Sequence, residues 1–149
     1  MIDTNEILSS GIFDFDVFPL SENLEKRGIG ENKKQTLVCF TETTNPNSKS
    51  FLEKVMSSVG VNLETDAFSI PIKDKELFRF SAIDHDAGFK TVLFFGIHPD
   101  QAGLNLNAQK YHPLSFAGYT ILFSDDLETI QQKPALKRPL WEALKKINW

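Results

Sequence analysis

Lys90-Thr91-Val92-Leu93-Phe94-Phe95-Gly96 decides the fold. From Val92 to Phe95 every residue is apolar, with no polar alternation, so a strand here is buried on both of its faces. Strands of that kind sit centrally in parallel sheets that are covered above and below. Gly96 closes the run, and the carboxyl edge that follows is where α/β sheets form their ligand crevices.

Working outward, Ala67 to Ile72 reads as a strand ended by Pro71 and the charged Lys73-Asp74-Lys75-Glu76. Ahead of it, Phe51, Leu52, Val55, Met56 and Val59 fall at helical spacing, and Gly60 stands where a left-handed cap belongs. Thr36 to Thr41 is a short apolar strand, followed by the turn-like Thr43-Thr44-Asn45-Pro46-Asn47-Ser48. Downstream, Tyr119 to Phe123 is a fourth strand. Asp125 to Trp149 is helical, with Leu136, Leu140, Trp141, Leu144 and Ile147 on one face and Pro139 at a helix start. This order predicts an α/β domain over residues 36–149: three α/β/α layers around a central, mainly parallel four-stranded sheet.

Residues 1–35 form an N-terminal extension of different character. Ile12-Phe13-Asp14-Phe15-Asp16-Val17-Phe18 alternates apolar and acidic residues at strand period, and Pro19 ends it. Ser21 to Lys34 is polar and carries Gly28 and Gly30. Ordering backbone costs ~1–2 kcal/mol per residue, so so short a strand must add to an existing sheet. It is either an edge strand on this domain or a docking segment that reaches a protein partner through Phe13, Phe15, Val17 and Phe18.

The totals restrict the function classes. With 41% hydrophobic and 24% charged residues, 149 residues make one globular domain rather than a disordered chain. A net charge of −4 predicts weak, salt-sensitive contact with nucleic acid at most. The basic cluster Lys133, Lys137, Arg138, Lys145 and Lys146 reads as a solvated helix face. Cys39 is the only cysteine, which excludes an internal disulfide, a Cys-rich zinc site and an iron–sulfur cluster. Asp84-His85-Asp86 reads as a solvated acidic loop, so neither metal nor cofactor is expected. No signal peptide or membrane span is visible, and the expectation is a cytoplasmic protein. The 13 phenylalanines, against 2 Trp and 2 Tyr, read as core rather than as a base-stacking platform.

The tail Pro134-Ala135-Leu136-Lys137-Arg138-Pro139-Leu140-Trp141-Glu142-Ala143-Leu144-Lys145 resembles the closing segment of family 4-type uracil-DNA glycosylases. There a Thr-Tyr-His-Pro motif precedes a segment close to Asn-Pro-Ala-Leu-Lys-Arg-Pro-Val-Trp-Glu-Asp-Leu. Phe51-Leu52 through Val59-Gly60, Ala67-Phe68-Ser69-Ile70 and Phe89 to Gly96 are similar to further pieces, in the family's order. The resemblance covers about Thr36 to Lys146 and implies the glycosylase fold.

The departures lie at the family's functional positions. Its first strand runs into a Gly-Glu-Ala-Pro-Gly loop that carries the water-activating group. Here the strand runs into Thr41-Glu42-Thr43-Thr44-Asn45-Pro46, with no glycine to let a backbone approach a flipped nucleotide. Counting back from Pro134 places the family's His at Asp126 and its Pro at Leu127. A carboxylate there repels the charge that develops on departing uracil. Tyr111-His112-Pro113 spells the missing tripeptide but stands 22 residues before Pro134, on the wrong side of the strand Tyr119–Phe123, and reads as coincidence. Glu42 and Asp126 are the only weak catalytic candidates. Asn45, His98 and Asp100 are candidates for any residual pocket.

A glycosylase fold without its site is similar to the psi-subunit family of bacterial DNA polymerase III, small non-catalytic proteins with an N-terminal docking segment. That resemblance implies a protein-interaction subunit in DNA replication or repair. The competing expectation is a DNA-processing enzyme of the same superfamily with an altered site, using Glu42 or Asp126 as base.

Overall fold

The computed structural model describes residues 27–43, 45–83, 88–147 and 149. The readings that fall on Ile12 to Phe18 and on Asp84-His85-Asp86 lie outside these described residues. In chain order the elements are β1 (Thr36–Thr41), α1 (Pro46–Ser58), β2 (Ala67–Ile72), α2 (Phe80–Ile83), β3 (Thr91–Phe95), β4 (Leu114–Phe116), β5 (Tyr119–Ser124), α3 (Leu127–Gln132) and α4 (Lys137–Lys145).

The sheet order is β2-β1-β3-β5-β4. β1 pairs in parallel with β2 and β3, and β3 in parallel with β5, while β4 runs antiparallel to β5. Among the described residues the sheet therefore has five strands and is mixed, where four mainly parallel strands were expected. The added strand is turned by Ala117-Gly118, at φ 52° and 88°. Positive φ at both central residues matches strand twist in a two-residue hairpin. Leu114-Ser115-Phe116 is too short to show a period, so sequence pattern misses it.

β3 lies between β1 and β5, and Val92, Leu93, Phe94 and Phe95 are at most 1% exposed. Alternation along the strands divides their side chains between two cores. Val38, Leu93, Phe95 and Leu122 meet Leu52 and Met56 of α1, Leu127 and Ile130 of α3, and Leu140 and Leu144 of α4. On the opposite face, Leu37, Cys39, Val92, Phe94, Ile121 and Phe123 meet Phe78, Phe80, Ile83, Phe89, Ile97 and Leu104. Among the described residues, that second covering consists of the four-residue α2, a 3₁₀ turn at Pro99–Ala102 and irregular chain. The outer layer expected as helix is mostly loop.

The tail is not one helix. Lys133, at φ −119° and ψ 87°, separates α3 from a 3₁₀ turn at Pro134–Leu136 that leads into α4. The residue before a proline is pushed out of the helical region, which explains the break. Leu140, Ala143, Leu144 and Ile147 are buried, whereas Trp141, expected on the same face, is 43% exposed. It stands one position off that stripe. No helix among the described residues is long and apolar enough to cross a membrane.

Hydrogen-bonded structure begins well ahead of β1. Ile29 exchanges two backbone hydrogen bonds with Ser69, both 2.9 Å, and Lys33 and Lys34 donate to the carbonyls of Thr65 and Asp66 at 2.9 Å. Arg27 forks onto both oxygens of Glu76 at 2.8 Å each. Residues 27–34 thus run along the outer edge of β2 and cover it. Any reach of the chain before them starts at Arg27 rather than at Thr36.

Candidate functional site

The chain leaves β1 for β2 on one side and returns to β3 on the other, so the order in which strands are added reverses between the parallel strands β1 and β3. In open α/β sheets the ligand crevice forms outside the strand ends at such a point. Here the strand ends meet closely across it. The Thr41 hydroxyl donates to the Gly96 carbonyl at 2.9 Å, and the Gly96 N–H donates to the Ser124 carbonyl at 3.0 Å. Gly96 has φ 76°, and a Cβ built on it would lie 2.6 Å from both Thr41 Oγ1 and Asp126 Cβ. Only glycine fits, because the ends of β1, β3 and β5 already touch there.

What remains open is a cleft of about 270 Å³ beside this contact, walled by Ile97, His98, Pro99, Lys110, Phe123 and Asp125 among others. Small-molecule sites occupy roughly 300–1,000 Å³, so it falls just under that range. Phe123 floors it, stacked on Phe94 at 4.8 Å between centroids. Phe116 lies on β4 and is not among the lining residues.

The five polar residues singled out in the sequence separate. His98 lines the cleft with its side chain 74% exposed, and its Nδ1 accepts the Asp100 N–H at 3.2 Å. This caps the 3₁₀ turn. Asp100 is 83% exposed and is not part of the lining. Glu42 is exposed, its backbone N–H bonded to the Ile72 carbonyl at 2.7 Å, and it does not reach the cleft. Asn45 does not reach it either, since its side chain caps α1 by accepting the Asn47 N–H at 2.9 Å. Asp126 lines the cleft but serves as the N-cap of α3, accepting both the N–H and the hydroxyl of Thr129. A carboxylate so engaged is a helix cap before it is a base.

Sequence reading missed a cluster on the cleft wall. Lys110 Nζ donates to Asp125 Oδ1 at 2.7 Å and the Tyr111 hydroxyl donates to Asp125 Oδ2 at 2.6 Å. Burial by itself raises the Asp125 carboxyl, but these two hydrogen bonds and the charges of Lys110 and Lys133 outweigh it and hold the carboxyl below its ordinary value. The Tyr111 phenol is pushed well up, first by burial and then by its hydrogen bond to Asp125. In sequence Tyr111 lies far ahead of Pro134 and on the other side of the strand Tyr119–Phe123. Its N–H in fact reaches the Phe123 carbonyl at 2.8 Å, because the β4–β5 hairpin folds the chain back beside its own start. His112 is exposed and not part of the lining.

Chemically, this arrangement binds itself. Both Asp125 oxygens and both Asp126 oxygens already accept hydrogen bonds from the protein. Cys39 is fully buried, which pushes its thiol up and leaves it inert. Among the described residues, no three His, Cys, Asp or Glu converge on a metal-sized site. No family model and no curated protein matches this chain.

Proposed function

We propose that this chain is a non-catalytic member of the uracil-DNA glycosylase superfamily that acts as a protein-interaction subunit of the DNA replication or repair machinery, similar to psi subunits. The observation that carries this reading is the close meeting of strand ends at the switch point, where Thr41 bonds the Gly96 carbonyl and a Cβ on Gly96 would meet Asp126. The parallel set β2-β1-β3-β5 and the closing segment Pro134 to Lys145, which supplies α4, support the superfamily assignment. An acid engaged in capping at the position of the family's His supports the loss of activity.

The test is an excision assay on uracil-containing single- and double-stranded DNA, run beside affinity capture from the native host. The expected result is no abasic product above buffer and enrichment of a replication or repair protein. Product formation that is abolished by Asp126→Ala overturns the reading in favour of an altered enzyme.

A further inference from the structure

A second depression, sharing no residue with the cleft, lies between α1 and α4. It measures about 400 Å³ and is lined by Phe51, Lys54, Val55, Ser58, Lys137, Leu140 and Trp141, with no acidic residue. Its floor is apolar, and Trp141 remains 43% exposed there. Its rim is basic: Lys137 Nζ stands 5.6 Å from the Phe51 ring centroid and Lys145 Nζ 4.1 Å from that of Trp141. An exposed indole and a half-buried phenyl ring bordered by cations suit an extended segment that alternates apolar and acidic side chains.

The chain itself contains one. Its charge is unevenly divided: residues 1–26 hold six Asp or Glu and one Lys, leaving 15 Lys or Arg against 14 Asp or Glu in the other 123 residues. The whole net negative charge of the protein therefore precedes Arg27, and Asp14 and Asp16 interleave with Phe13, Phe15 and Val17 within it. We propose that Ile12 to Phe18 seats in the α1–α4 groove of its own chain. The apolar face lies on Phe51 and Trp141, and Asp14 and Asp16 lie within reach of Lys54 and Lys137.

Two further observations favour this occupant. Phe18 is nine residues from Arg27, and nine residues extend to ~30 Å, about twice the ~15 Å radius of gyration of a domain this size. The alternative of adding to the sheet has little room: residues 27–34 already cover β2, and β4 at the other edge is three residues long. The contact belongs to the free chain and stands whether or not the proposed interaction role holds.

The test uses the full chain carrying Trp149→Phe, so that Trp141 is the sole indole. In this parent, Trp141 emission is expected to be blue-shifted and shielded from acrylamide. Asp14→Lys with Asp16→Lys raises the quenching constant roughly two-fold, since exposed ion pairs and ring contacts of modest strength hold the segment. Lys54→Glu with Lys137→Glu does the same. All four changes together restore the shielding, which a mere loss of folding does not. Unchanged quenching in the first pair, or no restoration by the swap, overturns the proposal. Shielding that vanishes on dilution overturns it too, since a second copy is then the occupant.

Discussion

The two faces of the sheet are built by different means. On one, α1, α3 and α4 supply aliphatic side chains at helical spacing, and Phe95 is the only fully buried phenylalanine among the described residues. On the other, where the covering chain is mostly irregular, Phe78, Phe80, Phe89, Phe94 and Phe123 form the core. Phe94 stacks on Phe123 with planes 14° apart, and Phe80 meets Phe94 edge-on at 6.2 Å and Tyr119 at 5.0 Å. A helix buries a continuous ridge because its apolar residues recur every three or four positions. A loop presents few side chains inward, so each must be large, and aromatic rings bury the most area per residue. Five of the 13 phenylalanines are buried on this helix-poor face.

That contrast can be broken by substitution. Phe94→Ala, which removes a ring held by two others, is expected to cost ~3–5 kcal/mol in chemical denaturation. A larger loss from Leu93→Ala, the neighbour that faces the helices, would show that the rings do not dominate their side. Gly96→Ala comes next, at about 2–3 kcal/mol, because the added Cβ meets Thr41 and Asp126 at a left-handed φ. A fall in melting temperature of several degrees checks it, and an unchanged value means that the strand ends are not in contact.

The loop face also carries the pH-sensitive group. Asp125 has a depressed pKa when folded, so its contribution to stability is complete above the unfolded value of 3.8 and is lost as pH falls through the folded value. Asp125→Asn is expected to cost about 1–2 kcal/mol at neutral pH and to flatten the stability profile below pH 4. A parallel acid limb in wild type and variant refutes that role. The smallest effect belongs to the helix face. Asn45→Ala and Asp126→Ala each remove one helix cap and cost ~1 kcal/mol, read as a shift in denaturation midpoint.

The legible parts were those with a repeating pattern. β3 could be read from four unbroken apolar residues, and α1 from Leu52 and Met56 at helical spacing. Trp141 was misplaced because one residue of phase moves a side chain from the core to the rim of a groove. Lys110, Tyr111 and Asp125 were illegible for a different reason. They are 14 and 15 residues apart in sequence, and only the β4–β5 hairpin joins them. The net charge of −4 likewise concealed a domain that is nearly neutral from Arg27 onward.

By itself the sequence determined the strongly patterned elements β1, α1, β2, β3 and β5, that the core strand is two-sided, and that one cysteine makes no internal disulfide or Cys-rich metal site. These follow from side-chain type and period, which act within a few residues. The tertiary structure alone decided that the ends of β1, β3 and β5 meet at Gly96, that Asn45 and Asp126 cap α1 and α3 while only Asp126 lines the cleft, and that one sheet face is covered mostly by irregular chain among the described residues. Each of those depends on which strand ends meet in space, and chain crossing and hairpin closure set those meetings, leaving no periodic trace in the sequence.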